Sequence, residues 1–176
     1  MNRTTTAAVV ESSARSILEY GLAYDRCKVG VVTSVPVPEG LQDHHILTHD
    51  QMRNVLRTQV DVVLPDGCAV LNADDEVCAG LGELCDGSVL YYSTGADHPL
   101  RAQHCADGGR FLVVRDQQIV LLGHNSAAPV LDLARPVVAR LIQQHIPLPA
   151  LLAAVGAALA LDMEPALIRA GVETAE

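Results

Sequence analysis

Asp66-Gly67-Cys68-Ala69-Val70-Leu71-Asn72-Ala73-Asp74-Asp75 is the stretch that determines the predicted fold class of this chain. A polar turn precedes a short apolar strand, and an apolar-periodic helix begins near Glu76. In open α/β sheets, ligands bind outside the carboxyl ends of the strands. Asn72, Asp74 and Asp75 are therefore predicted to hydrogen-bond a ligand such as a purine edge or ribose hydroxyls. The alternative is that Asp74 or Asp75 only caps the following helix.

The composition predicts one globular domain over residues 1–176. Hydrophobic residues make up 49% of the chain and the mean hydropathy is +0.24, which is enough for a core. The net charge of −9, from 21 acidic and 12 basic residues, argues against nucleic acid and against an anionic membrane as partners. Lys28 is the only lysine in the sequence.

The cysteines and the apolar segments predict a cytoplasmic protein. The five cysteines form no C-x-x-C pair, which indicates reduced thiols and neither a disulfide framework nor a zinc site. Met1 to Thr6 is polar and lacks the apolar region of a secretory signal. Leu148 to Leu161 is apolar but shorter than the roughly 20 residues that a membrane span requires.

The hydrophobic pattern alternates between strand and helix in the first half of the chain. A first strand, Ala7 to Val10, is expected to end at Glu11. The remaining predictions for this half are a helix capped by Ser12 or Ser13 and ended by Gly21, a strand over 27–33, a loop over 34–49, a helix over 50–64, a turn over 65–67, a strand over 69–71, a helix over 76–85 and a strand over 88–92.

The second half of the chain has a different pattern. Two β runs, 110–115 and 118–122, flank Asp116-Gln117 and predict an antiparallel hairpin. The rest is predicted to be helical, with segments near 130–145, 149–161 and 164–171. The predicted class is therefore α/β, with a mostly parallel sheet, flanking helices, a small β-hairpin and C-terminal helices.

Three segments, in order, resemble the central domain of Mur ligase-type enzymes and are similar to that of the cyanophycin synthetases. The first is A-V-V-E-S-S-A-R-S-I-L-E-Y-G-L-A-Y-D-R-C-K-V-G-V-V-T (Ala8 to Thr33), and the second is V-D-V-V-L-P-D-G-C-A-V-L-N-A-D-D (Val60 to Asp75). The third is G-G-R-F-L-V-V-R-D-Q-Q-I-V-L-L with the closing L-I-R-A-G-V (Leu167 to Val172).

The resemblance implies ATP and Mg²⁺ as cofactors. Enzymes of this family phosphorylate a substrate carboxylate, and an amine then attacks the acyl phosphate to give an amide. The resemblance would assign Glu11 to magnesium, and Asn72 with Asp74 or Asp75 to the adenosine.

Several family features are replaced in this sequence. The family's phosphate loop, G-x-x-G-K-[ST], is expected upstream of the first strand, and no G-K pair occurs in the chain. The metal loop, which carries an Asp-His pair, corresponds to Thr33–Leu41, and the helix lysine corresponds to about Leu56. Arg15-Ser16-Ile17 replaces the family's Arg-Gly-Gly, and Leu133-Ala134-Arg135-Pro136 replaces its asparagine-bearing helix. We therefore expect a domain without the phosphate-loop strand and without catalytic residues of its own.

Two classes of function follow from this reading. In the first, the chain is an interaction or assembly protein that forms a homo-oligomer or binds a full-length ligase, through an exposed sheet edge or the Ala/Leu-rich C-terminal helices, unless those helices are ordinary core layers. In the second, it is the nucleotide-binding component of an ATP-dependent amino-acid ligase that another chain completes. A weaker possibility is that Asp43-His44-His45, with His49, replaces the lost metal ligands.

Overall fold

A six-stranded sheet is the centre of the computed structural model, which describes residues 7–144 and 146–175. The strands lie in sequence order, β1-β2-β3-β4-β5-β6. The first four are parallel, and the pairs β4–β5 and β5–β6 are antiparallel. The predicted class, a mostly parallel α/β sheet with flanking helices, is confirmed.

The helices and strands are short and closely spaced along the chain. The strands are β1 Cys27–Val32, β2 Val63–Asn72, β3 Ser88–Ser93, β4 Arg110–Arg115, β5 Gln118–Gly123 and β6 Ser126–Asp132. The α-helices are α1 Ala14–Tyr20, α2 His49–Leu56, α3 Thr58–Asp61, α4 Glu76–Ala79, α5 Pro99–Ala106, α6 Pro136–Gln144, α7 Leu148–Ala160 and α8 Pro165–Glu173. Two 3₁₀ segments are Gln42–His44 and Gly80–Leu84.

Helices cover both faces of the sheet. Because β1 to β4 are parallel and advance in one direction, right-handed crossovers place α2 to α5 on the same face. Neighbouring residues of β2 point to opposite faces, so Leu71 packs beside Leu56 and Leu81, whereas Val70 packs beside Leu152 of α7. The carboxyl ends of β1, β2 and β3 therefore meet at one edge between two packed layers.

The C-terminal helix α7 is a core layer. Leu152 is fully buried in the same cluster as Val70 and Leu90. Gly156 permits the close approach of α7 to the sheet, since a Cβ at this position would lie 2.7 Å from Cγ1 of Val70. The interpretation of these helices as ordinary core layers is thus confirmed for α7. No single helix among residues 7–144 and 146–175 is long and apolar enough to span a membrane, although α6 and α7 meet those limits as a pair bent by 119°.

The predicted first strand is wrong. Residues 7–10 form no strand, all four are exposed, and the Val9 side chain is 99% exposed. A short apolar run suits a strand only when a neighbouring strand supplies its hydrogen bonds, and β1 pairs with β2 alone among the described strands. The helix that follows agrees with prediction, because Ser13 caps α1 and Gly21 ends it with φ 73°.

The predicted helix over 50–64 and the turn after it also need correction. The helical region ends near Asp61, and β2 already begins at Val63, which pairs with Cys27. Residues 64–67 then bulge out before Cys68 pairs with Val29, so the predicted turn lies inside the strand. The β-branched residues of this region favour a strand once β1 offers a partner.

Two elements in the second half differ from prediction. The predicted helix near 130–145 begins only at Pro136, because residues 126–132 form the edge strand β6. The first four residues of β6 are exposed, so it lacks the alternating pattern of a half-buried strand. Helix α5 was not predicted, since none of its residues is fully buried. The hairpin is confirmed, with Asp116 and Gln117 both at positive φ.

Candidate functional site

The carboxyl ends of β1 and β2 are joined by Asn72. Its Nδ2 donates a hydrogen bond of 2.9 Å to the carbonyl oxygen of Thr33, which follows β1. Its Oδ1 accepts a bond of 3.0 Å from the backbone N–H of Asp74. The amide therefore fixes the direction in which the chain leaves β2, and both of its polar atoms have protein partners.

Asp74 joins the end of β2 to the end of β3. Its Oδ1 accepts a bond of 2.5 Å from Oγ of Ser93, and its Oδ2 accepts bonds of 2.8 Å from the backbone N–H and from Oγ1 of Thr94. Burial acts to raise the pKa of Asp74, but the bonds from Ser93 and Thr94 outweigh it and hold the pKa below the ordinary value. The carboxylate is thus stabilised as an anion by neutral protein donors.

Asp75 is the N-cap of α4 and also binds the loop after β1. Its Oδ1 accepts a bond of 2.9 Å from the backbone N–H of Cys78, and its Oδ2 accepts one of 2.7 Å from the backbone N–H of Val35. The predicted helix cap is therefore confirmed for Asp75, whereas its role toward a ligand stays a prediction. Together the three side chains tie the ends of three strands, one loop and one helix into a single network.

The loop after β1 is packed against the core. Val35 and Leu41 are buried in the apolar cluster that also contains Leu56 and Leu71. His49 Nε2 lies 2.5 Å from the carbonyl oxygen of Val35, and the Arg15 guanidinium donates to the carbonyl oxygen of Gly40. The Arg15 guanidinium, 3.1 Å from Asp43, also holds the pKa of that carboxyl below its usual value. The segment that corresponds to the family's metal loop is thus fixed by packing and by hydrogen bonds.

Leu56, the position that corresponds to the family's helix lysine, is a core residue. Its side chain is 7% exposed and belongs to the same cluster as Met52 and Val60. An ammonium group at this position would lie among apolar side chains and lose its hydration. Leucine therefore fits this environment and lysine does not.

The remaining sequence-predicted ligands do not converge. Glu11 lies in an exposed segment outside the sheet and makes no side-chain hydrogen bond or ion pair with another described residue. His45 follows the first 3₁₀ segment and His49 begins α2, so the two histidines are not on one helix face. Within residues 7–144 and 146–175, no three His, Cys, Asp or Glu side chains are grouped in a way that could hold a metal ion. The magnesium role of Glu11 and the adenosine roles of Asn72, Asp74 and Asp75 stay predictions.

The sequence interpretation missed Ser93 and Thr94. Ser93 is the buried last residue of β3 and Thr94 follows it, and together they supply the side-chain and backbone donors whose bonds Asp74 accepts. Small hydroxyl residues after a strand in a parallel sheet are a usable signal, since parallel strands end at the same edge.

Comparisons with known proteins show which family this chain resembles. No family model matches the chain. The chain is 39% identical over 120 residues to a cyanophycin synthetase from Crocosphaera subtropica and 38% identical over 120 residues to one from Synechocystis. Each match covers 68% of this chain, whereas the chain spans 14% of the length of these relatives.

Solved structures share the fold. A crystal structure of MurF from Acinetobacter baumannii superposes with a TM-score of 0.53 at 16% identity, over 94% of this chain and 32% of that chain. Another structure from that organism, named as a UDP-N-acetylmuramoylalanyl-D-glutamyl-2,6-diaminopimelate–D-alanyl-D-alanyl ligase, gives a TM-score of 0.51 at 19% identity, over 85% of this chain and 29% of that chain. The sequence similarity and the shared architecture together show that this chain is a Mur ligase-like domain related to a segment of the cyanophycin synthetases.

Proposed function

We propose that this chain does not catalyse amide ligation by itself and acts as an assembly protein, in which two copies associate through the open β1 edge of the sheet. The observation that carries the first part is the hydrogen-bond network at the strand ends. Asn72, Asp74 and Asp75 direct their polar atoms to protein donors and acceptors. Six of the roughly ten lone-pair sites on these oxygens already accept protein donors, so fewer than half are left for the hydroxyls of a nucleoside.

Two further observations support the loss of catalysis. Relatives of this kind are ligases, and the resemblance implies ATP and Mg²⁺ for them. In this chain the loop that would carry the metal ligands buries Val35 and Leu41, and the position of the lysine is the core residue Leu56. The residues present therefore do not fit the binding of Mg-ATP as the family performs it.

The second part of the proposal rests on the two edges of the sheet. The β6 edge carries Pro129 and a register irregularity between Ile119 and Val120, two devices that discourage pairing with another strand. The β1 edge carries no proline, and its only charged residue, Lys28, is held in an ion pair of 2.9 Å with Asp66 of the neighbouring strand β2. It is therefore the edge at which a further strand can add.

We propose that the β1 edge pairs with a strand from a second copy of this chain. Residues 7–10, Ala-Ala-Val-Val, are apolar and exposed in the monomer. Within residues 7–144 and 146–175, neither this segment nor the outer edge of β1 pairs with another strand, and reciprocal strand exchange between two copies requires such a segment and such an edge. Pairing of residues 7–10 with β1 of the other copy would bury Val9 and Val10.

Light scattering coupled to size-exclusion chromatography tests the assembly. We expect the wild-type protein to elute as a dimer and Val9→Asp with Val10→Asp to elute as a monomer with an unchanged far-UV spectrum. Leu167→Asp is the matched control, because Leu167 is 57% exposed on α8, and it should remain dimeric. A monomeric wild-type protein, or a control that dissociates equally, would contradict the assembly.

Titration calorimetry with Mg-ATP tests the first part and its alternative. We expect no saturable heat from the wild-type protein. Micromolar binding that is lost in Asn72→Ala with Asp75→Asn, a pair that keeps a capping side chain at position 75, would instead favour a nucleotide-binding component completed by another chain. Glu76→Gln, an exposed change next to the site, is the control variant.

A further inference from the structure

A cavity of about 460 Å³ lies on the α5 side of the antiparallel strands. Helix α5 packs over β4 and β5 but leaves the outer part of the sheet uncovered, because the first four residues of β6 are exposed. Leu122 and Ala127, which are cross-strand partners, form part of the lining, and Cys105 of α5 forms another part. None of the residues around the cavity belongs to the network of Asn72, Asp74 and Asp75.

Two guanidinium groups line this cavity, and no acidic side chain of the described residues does. Arg101 comes from α5 and Arg115 from the end of β4. This distribution contrasts with the whole chain, which carries 21 acidic residues and 12 basic ones. In a protein with a net charge of −9, an anion is repelled by most of the surface and bound only where basic groups are concentrated.

Both arginines have unused hydrogen-bonding capacity. Arg101 donates through Nη2 to Asp97, 3.1 Å away, whose side chain is 87% exposed. The Nε of Arg101 is buried and has no hydrogen-bond partner among the described residues. Arg115 makes no side-chain hydrogen bond or ion pair within residues 7–144 and 146–175. The buried Nε is closed to a ligand in the cavity, but Nη1 of Arg101 and the guanidinium of Arg115 have no protein partner among the described residues and can donate to an acceptor there.

The rest of the lining is compatible with a negatively charged ligand. Burial raises the pKa of the Cys105 thiol, so the thiol stays protonated at neutral pH and adds no negative charge. His124 Nδ1 lies 3.1 Å from the carbonyl oxygen of Ala106, which fixes the turn between β5 and β6 against the end of α5. Asn125 adds a neutral amide at that turn.

We propose that this cavity binds a small organic or inorganic oxyanion, whose carboxylate or phosphate group is held by the guanidinium groups of Arg101 and Arg115. The planar guanidinium fork matches two oxygen atoms of either group, and the pairing strengthens where the donors are withdrawn from water. Leu122 and Ala127 provide an apolar surface for a short carbon chain next to the anionic group. The proposal is independent of the dimer and of nucleotide binding.

Titration calorimetry with inorganic phosphate and, separately, with succinate tests this site at constant ionic strength. We expect one saturable site, with affinity at least tenfold lower in Arg115→Gln. Ala127→Asp should weaken binding as well, because it keeps both arginines and adds a negative charge to the lining. Arg26→Gln removes the same charge from an exposed position elsewhere and should leave the affinity unchanged.

The outcomes separate a site from general charge effects. Binding of phosphate alone would assign a phosphate ligand, and binding of succinate alone would assign a carboxylate ligand. Binding of both would assign a general oxyanion site. Each of these outcomes supports the proposal if Arg115→Gln and Ala127→Asp weaken the binding. An equal loss in Arg26→Gln, or no saturable heat with either anion, overturns it. Far-UV spectra of each variant establish that the fold is retained.

Discussion

At the scale of single residues, the polar side chains after β2 show how hydrogen-bond partners decide the role of a residue. Asn72, Asp74 and Asp75 occupy the sheet edge where ligands of α/β proteins bind. Each nevertheless bonds to backbone or hydroxyl groups of neighbouring segments. A carboxylate that accepts two or three such bonds stabilises the fold, and releasing it toward a ligand would leave those donors unpaired.

Asp75→Ala should lower the free energy of unfolding by about 1–3 kcal/mol, because it removes both the cap of α4 and the acceptor of the Val35 N–H. Asp75→Asn keeps a capping oxygen and should lower the free energy of unfolding by less than Asp75→Ala does. Urea unfolding followed by far-UV circular dichroism measures both changes. Equal stability of Asp75→Ala and the wild-type protein would contradict the structural role.

The Asp74 carboxylate should make stability depend on pH in the acid range. Its pKa in the folded protein is lowered, so the folded state binds the proton less tightly than the unfolded state. The stabilisation, about 1 kcal/mol for a partly exposed group, is present above the ordinary value of 3.8 and is lost as pH falls through the lower folded pKa.

Urea unfolding at several pH values measures this dependence. The difference in unfolding free energy between the wild-type protein and Asp74→Asn should stay constant from about pH 7 to pH 5 and shrink below about pH 4. Ser93→Ala removes one donor to Asp74. The unfolding free energies of Ser93→Ala and Asp74→Asn should therefore differ by less, and that difference should depend less on pH. A difference that is the same at all pH values would show that the hydrogen bonds do not stabilise the anion.

At the scale of elements, α7 shows how a C-terminal helix becomes a layer of the core. Seven of its residues are buried, including Leu151, Leu152, Val155 and Leu159. Apolar residues surround the helix with little preference for one face, as in helices buried between other elements. The helix approaches the sheet closely only because position 156 has no side chain.

Gly156→Ala should therefore destabilise the protein by about 1 kcal/mol or more, although alanine favours a helix. The new methyl group would meet Cγ1 of the buried Val70. Gly171→Ala in α8 is the matched control, because a Cβ there meets nothing within 4 Å, and it should stabilise by about 0.5–1 kcal/mol. Thermal unfolding of both variants measures whether stability falls in Gly156→Ala and rises in Gly171→Ala. A gain in stability for Gly156→Ala would contradict the close packing.

At the scale of the whole molecule, buried apolar clusters cover both faces of the sheet, and these clusters depend on the same strands. Alternate residues of β2 contribute to the two sides, Val70 to the α7 side and Leu71 to the α2 side. The loss of one layer would expose strand faces that the other layer cannot cover. Unfolding is therefore expected to be cooperative over the domain.

Leu152→Ala should lower the free energy of unfolding by about 2–5 kcal/mol, because it leaves a cavity between α7 and the sheet. Circular dichroism and tyrosine fluorescence should report coincident transitions, since Tyr92 lies in the same cluster. Leu167→Ala, at an exposed position, should change stability by less than about 0.5 kcal/mol. Separate transitions would contradict a single cooperative domain.

Local sequence signals determined the α/β class, β1, the strand leading into Asn72, the hairpin at Asp116-Gln117 and the C-terminal helices. These features depend on periodicity, caps and turn residues within a few positions of each other. The same rules failed for residues 7–10 and for β6. Residues 7–10 are not a strand because an apolar run becomes a strand only when a partner strand supplies its hydrogen bonds. The edge strand β6 was missed because its exposure removes the alternation of apolar and polar residues expected of a strand.

Only the tertiary structure decided which groups the polar residues of the candidate site bond to. The partner of Asp75 on the loop after β1 is 40 residues away, and the partners of Asp74 at the end of β3 and just after it are 19 and 20 residues away. The cavity with Arg101 and Arg115 likewise joins a helix and a strand that carry no shared motif. The sequence placed polar residues at an edge of the sheet, but the donors that satisfy them are brought there by folding, because strand pairing and not chain proximity sets which segments end side by side.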